Sequence, residues 1–114
     1  MKFEVDEKDG VVIITPDGKI YDDPDLDKLR SEMRKTVRIG ARRMVVDLGN
    51  VRETLTRGLS TFTEIAMALR KVNGDLKLAR ISKQIKSIIA ITRLSQFFDC
   101  YESVAEAVRS FDNQ

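Results

Sequence analysis

Apolar and polar residues alternate from Phe3 to Asp6, the chain reaches Asp9-Gly10, and a β-branched run follows at Val11-Val12-Ile13-Ile14. Alternation with a period of two turns one face of an extended segment toward a core, and Asp-Gly has the chemistry of a tight hairpin turn. The chain is therefore predicted to open with a β-hairpin. Thr15-Pro16-Asp17-Gly18 reads as a break, and Lys19 to Tyr21 as a short extended piece leading to Asp23-Pro24. Aspartate before proline reads as an N-cap followed by the first residue of a helix.

In that first helix Leu26, Leu29, Met33 and Val37 recur at steps of three and four, and Gly40 stands where a left-handed C-terminal cap is wanted. Arg43 to Leu48 follows with the unbroken apolar run Met44-Val45-Val46. The run is too short for a helix and rich in β-branched residues, which suits a strand buried on both faces at the centre of a sheet. A loop is expected from Gly49 to Leu55, and then a second helix with Leu59, Phe62, Ile65, Ala66, Leu69 and Val72 on one side, closed by Asn73-Gly74. The remainder reads as a strand from Leu76 to Ile81 and a third helix carrying Ile85, Ile88, Ile89 and Thr92. A short strand from Phe97 to Tyr101 and a last helix marked by Val104, Ala107, Val108 and Phe111 complete it.

After the hairpin every step from strand to strand crosses over through a helix, which dictates a mostly parallel arrangement. The expected architecture is one α/β domain over residues 1–114: a mixed, mostly parallel sheet of four to five strands packed with about four helices. The length suits one compact core.

Charge and composition narrow the function. Twenty Lys and Arg against 18 Asp and Glu leave a net charge of +2, too small for the positive field that nonspecific phosphate-backbone binding needs, so nucleic acid is not expected as a partner. Arg38, Arg42 and Arg43 gather around Gly40, where a helix C-terminus favours cations, and are read as structural. Histidine is absent, which removes the usual general base, the commonest metal ligand and every Ser/His or Cys/His dyad. Asp22, Asp23, Asp25 and Asp27 surround Pro24 at a helix start, where capping and the helix dipole already account for them. No metal, no cofactor and no enzymatic activity are expected. Cys100 is the one cysteine, and its neighbours Phe97, Phe98 and Tyr101 predict a partly buried thiol in a reducing, cytoplasmic compartment. No segment reads as a signal peptide or as long enough to span a membrane, so direct membrane insertion is not expected.

In open α/β sheets function gathers where loops leave the C-terminal ends of strands, which points to Gly49 to Gly58. Gly49 and Gly58 are far apart and no Gly-Lys-Ser/Thr follows, so this is not a nucleotide-phosphate loop. Asp47 reads as the polar end of a buried strand, taking amide hydrogen bonds from the turn after it. Thr56 precedes the apolar periodicity that begins at Leu59, and Thr56, Ser60, Thr63 and Met67 form a stripe by helical spacing. If Leu59, Phe62, Ala66 and Leu69 face the core, that stripe is exposed, and an adaptable methionine there suits a protein partner. Two roles for Thr56 stand side by side. It can be a plain N-cap, worth about 1 kcal/mol, or it can also accept a phosphate, tolerated at the positive end of a helix and bringing about two negative charges to a docking surface.

The order of elements and the turn together resemble a STAS domain, the module of bacterial anti-sigma factor antagonists and of sulfate transporter tails. The family shows a strand ending in Asp-Leu-Ser, a Val two residues on, and Asp-Ser-Ser/Thr-Gly-Leu opening a helix. Here Val46-Asp47-Leu48-Gly49-Asn50-Val51 and Thr56-Arg57-Gly58-Leu59 stand at matching spacing. Further on, Leu76-Lys77-Leu78-Ala79-Arg80-Ile81-Ser82, then Ile85, Ile88, Thr92-Arg93-Leu94 and Phe97-Phe98, are similar to the family's strand and helix, and Glu102-Ser103-Val104-Ala105-Glu106-Ala107 to its C-terminal helix start. Two departures stand out: Leu55 replaces the usual acid before the phosphoacceptor and Arg57 the second hydroxyl. The Gly-x-Leu-Asp segment likewise reads Gly18-Lys19-Ile20-Tyr21.

The resemblance implies a protein-binding regulator of transcription that docks on an anti-sigma factor with serine/threonine kinase activity, or on another signalling protein, and is switched by phosphorylation at Thr56. It implies a partner surface of Tyr21, Asp22, Asp23, Glu53, Thr54, Leu55, Thr56, Arg57, Gly58, Ser60, Thr63 and Met67. A non-phosphorylated accessory subunit or scaffold of a transport or signalling complex is the alternative, and whether the chain forms a homodimer is left open.

Overall fold

A computed structural model describes residues 1–21, 24–54 and 56–113. The opening hairpin is as expected: strand β1 (Lys2–Lys8) pairs antiparallel with β2 (Val11–Ile20), with Val5 opposite Ile14. Asp9 and Gly10 join them at φ 54° and 78°, the positive angles for which Asp-Gly is suited.

The break expected at Thr15-Pro16-Asp17-Gly18 does not occur, because β2 continues through it and changes partner there. Val12 to Ile14 pair in parallel with strand β3 (Arg43–Asp47), and Gly18 to Ile20 with strand β4 (Val51–Thr54). Residues 15–17 lie between these two parallel ladders, so the amide that Pro16 lacks leaves neither incomplete. Gly18, at φ 103°, absorbs the register shift. Strand β4 itself corrects the loop expected from Gly49 to Leu55. Its Val-Arg-Glu-Thr sequence carries little apolar signal, yet Val51 and Thr54 are buried by its pairing with β2.

Strands β5 (Asp75–Ala79) and β6 (Cys100–Tyr101) complete, among the described residues, a six-stranded sheet in the order β1-β2-β3-β5-β6, with β4 beside the far half of β2. That is one strand more than the four to five expected. Central β3 has Met44, Val45 and Val46 fully buried. The strand expected over Phe97 to Tyr101 shortens to two residues, since Leu94–Gln96 forms a 3-10 turn and Phe98 turns into the core. Cys100 therefore sits on an edge strand with much of its surface exposed, while burial of its inner side still pushes the thiol up from its ordinary range.

Helices α1 (Pro24–Arg38), α2 (Thr56–Arg70) and α3 (Lys83–Ile91) make the crossovers. Each crossover advances in the same direction across the sheet, so connections of one hand put all three on one face. Leu26, Leu29, Met33, Phe62, Ile65, Leu69, Ile85 and Ile89 accordingly share one core with Ile14, Met44, Val46 and Leu78. Gly40 ends α1 at φ 114°, as expected. At the end of α2 it is Asn73, at φ 64°, that takes the left-handed angle. Gly74 is needed instead for closeness, because a Cβ there would lie 2.2 Å from the Arg42 carbonyl oxygen. Val72 falls beyond the helix and is exposed.

Helix α4 (Val104–Ser110) covers the opposite face, packing Ala107, Val108 and the following Phe111 on Val11, Ile13, Val45 and Ala79. Beneath it Lys77 of β5 is only 2% exposed. Its Nζ donates to Ser110 Oγ at 2.7 Å and lies 4.4 Å from the centroid of the Phe111 ring. Removing the acceptor should cost more than removing the cation. Ser110→Ala leaves a buried ammonium short of a partner and is expected to destabilise by about 1–3 kcal/mol. Lys77→Met replaces it with an apolar group of similar length and is expected to be neutral or stabilising, as when buried charges give way to hydrophobic residues. Urea unfolding midpoints of the two variants check the order. Among the described residues no helix is long and apolar enough to cross a membrane.

Candidate functional site

The C-terminal ends of β2, β3 and β5 meet at the turn after Asp47. Asp47 is buried at 6% exposure, and its two carboxylate oxygens divide their work. Oδ1 accepts the Gly49 N–H at 2.9 Å, the amide bond expected from the turn, while Oδ2 accepts from Arg80 Nη1 at 3.2 Å. The turn closes with Val51 N–H donating to the Leu48 carbonyl at 3.1 Å, and it is tied to β2 by Gly18 N–H donating to the Asn50 carbonyl at 3.0 Å.

From this turn β4 runs directly to α2. Thr54 is buried, Arg52 is exposed, and Glu53 is half-buried. The Glu53 carboxylate accepts from the Tyr21 hydroxyl at 2.5 Å and lies 4.0 Å from Lys19 Nζ. That hydrogen bond, which the phenolate could not donate, is the main reason the Tyr21 hydroxyl titrates above its ordinary range. Partial desolvation and the negative charge of Glu53 act in the same direction, and Arg52 opposes them. Tyr21 and Glu53, 32 residues apart in sequence, thus form one polar contact beside the start of α2.

Thr56 is exposed and is itself the first residue of α2. Thr56 thus lies inside the helix and does not take the N-cap position expected of it. Leu55, Asp22 and Asp23 lie outside the described residues, so the capping expected of Asp23 and the partner surface expected of all three lie outside them too. Of the other two acids near Pro24, Asp25 Oδ2 is 3.0 Å from the terminal ammonium of Met1, and Asp27 is 3.5 Å from Arg30.

Arg57 is exposed, and Gly58 is buried where α2 meets β2 and β4. A Cβ at Gly58 would stand 2.5 Å from Thr54 Oγ1 and 2.6 Å from Ile20 Cγ2, which explains why the first turn of α2 carries a glycine despite its low helix propensity. The close approach seats the helix start on both strands.

Along α2 the two faces separate as the periodicity predicts. Leu59, Phe62, Ile65, Ala66 and Leu69 are buried. Thr56 and Ser60 are exposed, Thr63 is half-buried, and Met67 is 52% exposed, well above a core methionine. Ser60 and Thr63 turn their hydroxyls back to the carbonyls of Thr56 and Leu59, at 3.2 and 3.3 Å, a local bond that leaves their remaining acceptor capacity outward. On its other flank α2 is tied to α1 by Arg34 Nη2, which donates to Glu64 Oε1 at 2.7 Å, and by Arg30 Nη2, which donates to Thr61 Oγ1 at 3.4 Å.

Two features of this site escape a reading of the sequence. Strand β4 does so because its residues are polar, and Arg80 because nothing in its neighbourhood signals a partner 33 positions away. Among the described residues no group of three or more His, Cys, Asp or Glu is placed to hold a metal ion.

Comparison with known proteins follows the same lines. The family model of the STAS domain matches residues 2–107. BtrV of Bordetella bronchiseptica, provisionally named an anti-sigma factor antagonist, is 28% identical over 111 residues, covering 97% of this chain and 95% of its own. Among solved structures, tm1081 of Thermotoga maritima, also provisionally named an anti-sigma factor antagonist, superposes with a TM-score of 0.88 at 16% identity, covering 95% of this chain and 92% of its own. SpoIIAA of Bacillus, a cell fate determinant solved in its phosphorylated form, gives 0.77 at 14% identity over 96% of this chain and 99% of its own. At these identities the superpositions establish the fold alone.

Proposed function

This chain belongs to the STAS domain family, and from that membership we propose that it is an anti-sigma factor antagonist-like module that docks on an anti-sigma factor with serine/threonine kinase activity. The docking surface consists of Tyr21, Glu53 and Arg57 around the start of α2, together with the outward stripe of Thr56, Ser60, Thr63 and Met67; Thr54 and Gly58, expected on it from the sequence, are buried and support it from beneath. Asp22, Asp23 and Leu55 join it by sequence position. The observation that carries this proposal is the exposure of Thr56 at the first position of α2, on a helix fed by the sheet's central strand through β4. A kinase can reach that hydroxyl without opening the fold. A phosphate there meets the positive end of a 15-residue helix, so it is tolerated by the domain while recasting the charge of the surface a partner reads.

No reaction is assigned to the chain itself. Its place is the cytoplasm, with a protein as partner, no nucleic acid and no direct membrane insertion.

Leu55 before Thr56 and Arg57 after it favour a second role, in which the same surface binds a scaffold or transport assembly without being phosphorylated. One experiment separates the two. The chain is incubated with ATP and the anti-sigma kinase of its own genome, and its intact mass is followed with Thr56→Ala as control. A gain of one phosphate, mapped to the peptide containing Thr56 and absent from the control, is expected. A mass left unchanged by every partner kinase from the same genome supports the second role.

A further inference from the structure

Arg80 leaves β5 at φ 58°, a left-handed angle uncommon for a residue with a Cβ. Its N–H donates to the Tyr101 carbonyl of β6 at 2.9 Å, and one residue earlier the Ala79 carbonyl accepts from Leu48 N–H at 2.9 Å. The backbone is thus held on both sides at the point where it turns. In that conformation the side chain runs back across the end of β3, placing Nη1 3.2 Å from buried Asp47 Oδ2. The guanidinium also lies against the Gly49 backbone, where a Cβ would stand 2.3 Å from Arg80 Cζ and 2.4 Å from Nε. Gly49, exposed and with an ordinary backbone angle, leaves room for this contact, and a side chain there would push the flexible end of Arg80 aside.

We propose that Arg80 is a positioning residue for the recognition turn: through Asp47 and Gly49 it fixes the turn from which β4 and Thr56 follow. The proposal rests on the docking reading given above for what that turn recognises. Its physical content is separate. Asp47 holds the turn with one oxygen and Arg80 with the other, so the Arg80 guanidinium neutralises and orients the carboxylate that the Gly49 N–H bonds. Arg80 also links the turn to β6 at the far edge of the sheet through its own N–H.

Amide hydrogen exchange of the full chain tests this, with Arg80→Ala, Arg80→Lys, Gly49→Ala and the double variant. The reporters are the N–H groups of Gly49, Val51 and Gly18, all donors in or onto the turn. In Arg80→Ala these are expected to exchange about tenfold faster or more, as befits loss of a charge-assisted contact. Amides of Ile14 and Val46 in the core strands are expected to keep their rates. Arg80→Lys restores part of the protection, because an ammonium reaches Asp47 but cannot lie flat along Gly49. Gly49→Ala speeds exchange on its own by displacing the guanidinium, and adds nothing once Arg80 is alanine.

Two results overturn the proposal: equal acceleration at Ile14 and Val46, which marks a general loss of stability, or unchanged rates at the three reporters. Should Arg80→Ala not fold, Gly49→Ala carries the same comparison. Titration of each variant with the anti-sigma kinase then reads the functional arm, where weaker binding is expected in proportion to the loss of protection. Binding lost with protection unchanged would make Arg80 a direct contact and also overturn the proposal. Failure of the unaltered chain to bind any such kinase counts against the docking surface and leaves the exchange result standing.

Discussion

Replacing Phe62 with alanine is expected to remove about 3–5 kcal/mol of stability, the cost of emptying a large buried aromatic site that its neighbours only partly refill. Phe62 is fully buried at the middle of α2, in the same core as Leu29, Met44, Leu78 and Ile85. A domain of this size has about 5–15 kcal/mol in total, so the variant loses roughly a fifth of its margin at the least. Four residues from Thr63 on the same helix, Met67→Ala is expected to change stability by less than about 0.5 kcal/mol, because that side chain already meets water. Urea denaturation of the two variants, followed by circular dichroism, measures the contrast. Equal midpoints would mean that the face of α2 assigned to the core is wrong.

Thr56→Glu reverses that pattern, with the fold kept and recognition lost. A carboxylate in the first turn of a helix is stabilising by about 0.3–1 kcal/mol, so the unfolding midpoint is expected to hold or rise slightly. Binding to the anti-sigma kinase is expected to weaken about thirtyfold or more, the loss typical when a central contact of an interface is removed. A negative charge introduced at a desolvating interface adds the cost of meeting groups arranged for a neutral hydroxyl. Isothermal titration of the unaltered chain and the variant reads the effect. Unchanged affinity at unchanged stability would place the partner elsewhere on the domain.

Much of this architecture is legible in the sequence, because its signals are local. The Asp9-Gly10 turn, the Leu26-Leu29-Met33 face, the Met44-Val45-Val46 run and the alternation of Leu59, Phe62, Ile65, Ala66 and Leu69 each fix one element by periodicity or turn chemistry. Where the reading departs from the structure, a distant partner decides. Pro16 looks like a strand breaker until β2 is seen to exchange β3 for β4 on either side of it. Val51 to Thr54 look like loop until Gly18 to Ile20 are placed alongside them. Phe98 has a strand-like neighbourhood, yet its ring goes to the helix-covered core and leaves only Cys100 and Tyr101 to pair with β5.

The site divides in the same way. Thr56, Ser60, Thr63 and Met67 are found on one side of α2 from spacing alone, since a helix fixes which residues share a face. Asp47 as acceptor for the turn's amide is likewise a local inference. The Tyr21–Glu53 contact, the Arg80–Asp47 pair and the burial of Lys77 under Ser110 and Phe111 all join segments more than 30 residues apart. No pattern within a helix or strand announces such pairs. Gly58 shows the same limit, because it is a glycine on account of the buried Thr54 and Ile20 side chains that approach it.

The docking surface is tested most directly by mapping it. Isotopically labelled protein titrated with the anti-sigma kinase of the same genome, with amide resonances followed by NMR, reports which residues meet the partner. Shifts confined to residues 18–21, 51–54 and 56–67 are the predicted result. Shifts centred on α4 or on β1, with the amides of Thr56, Ser60, Thr63 and Met67 unmoved, would contradict it.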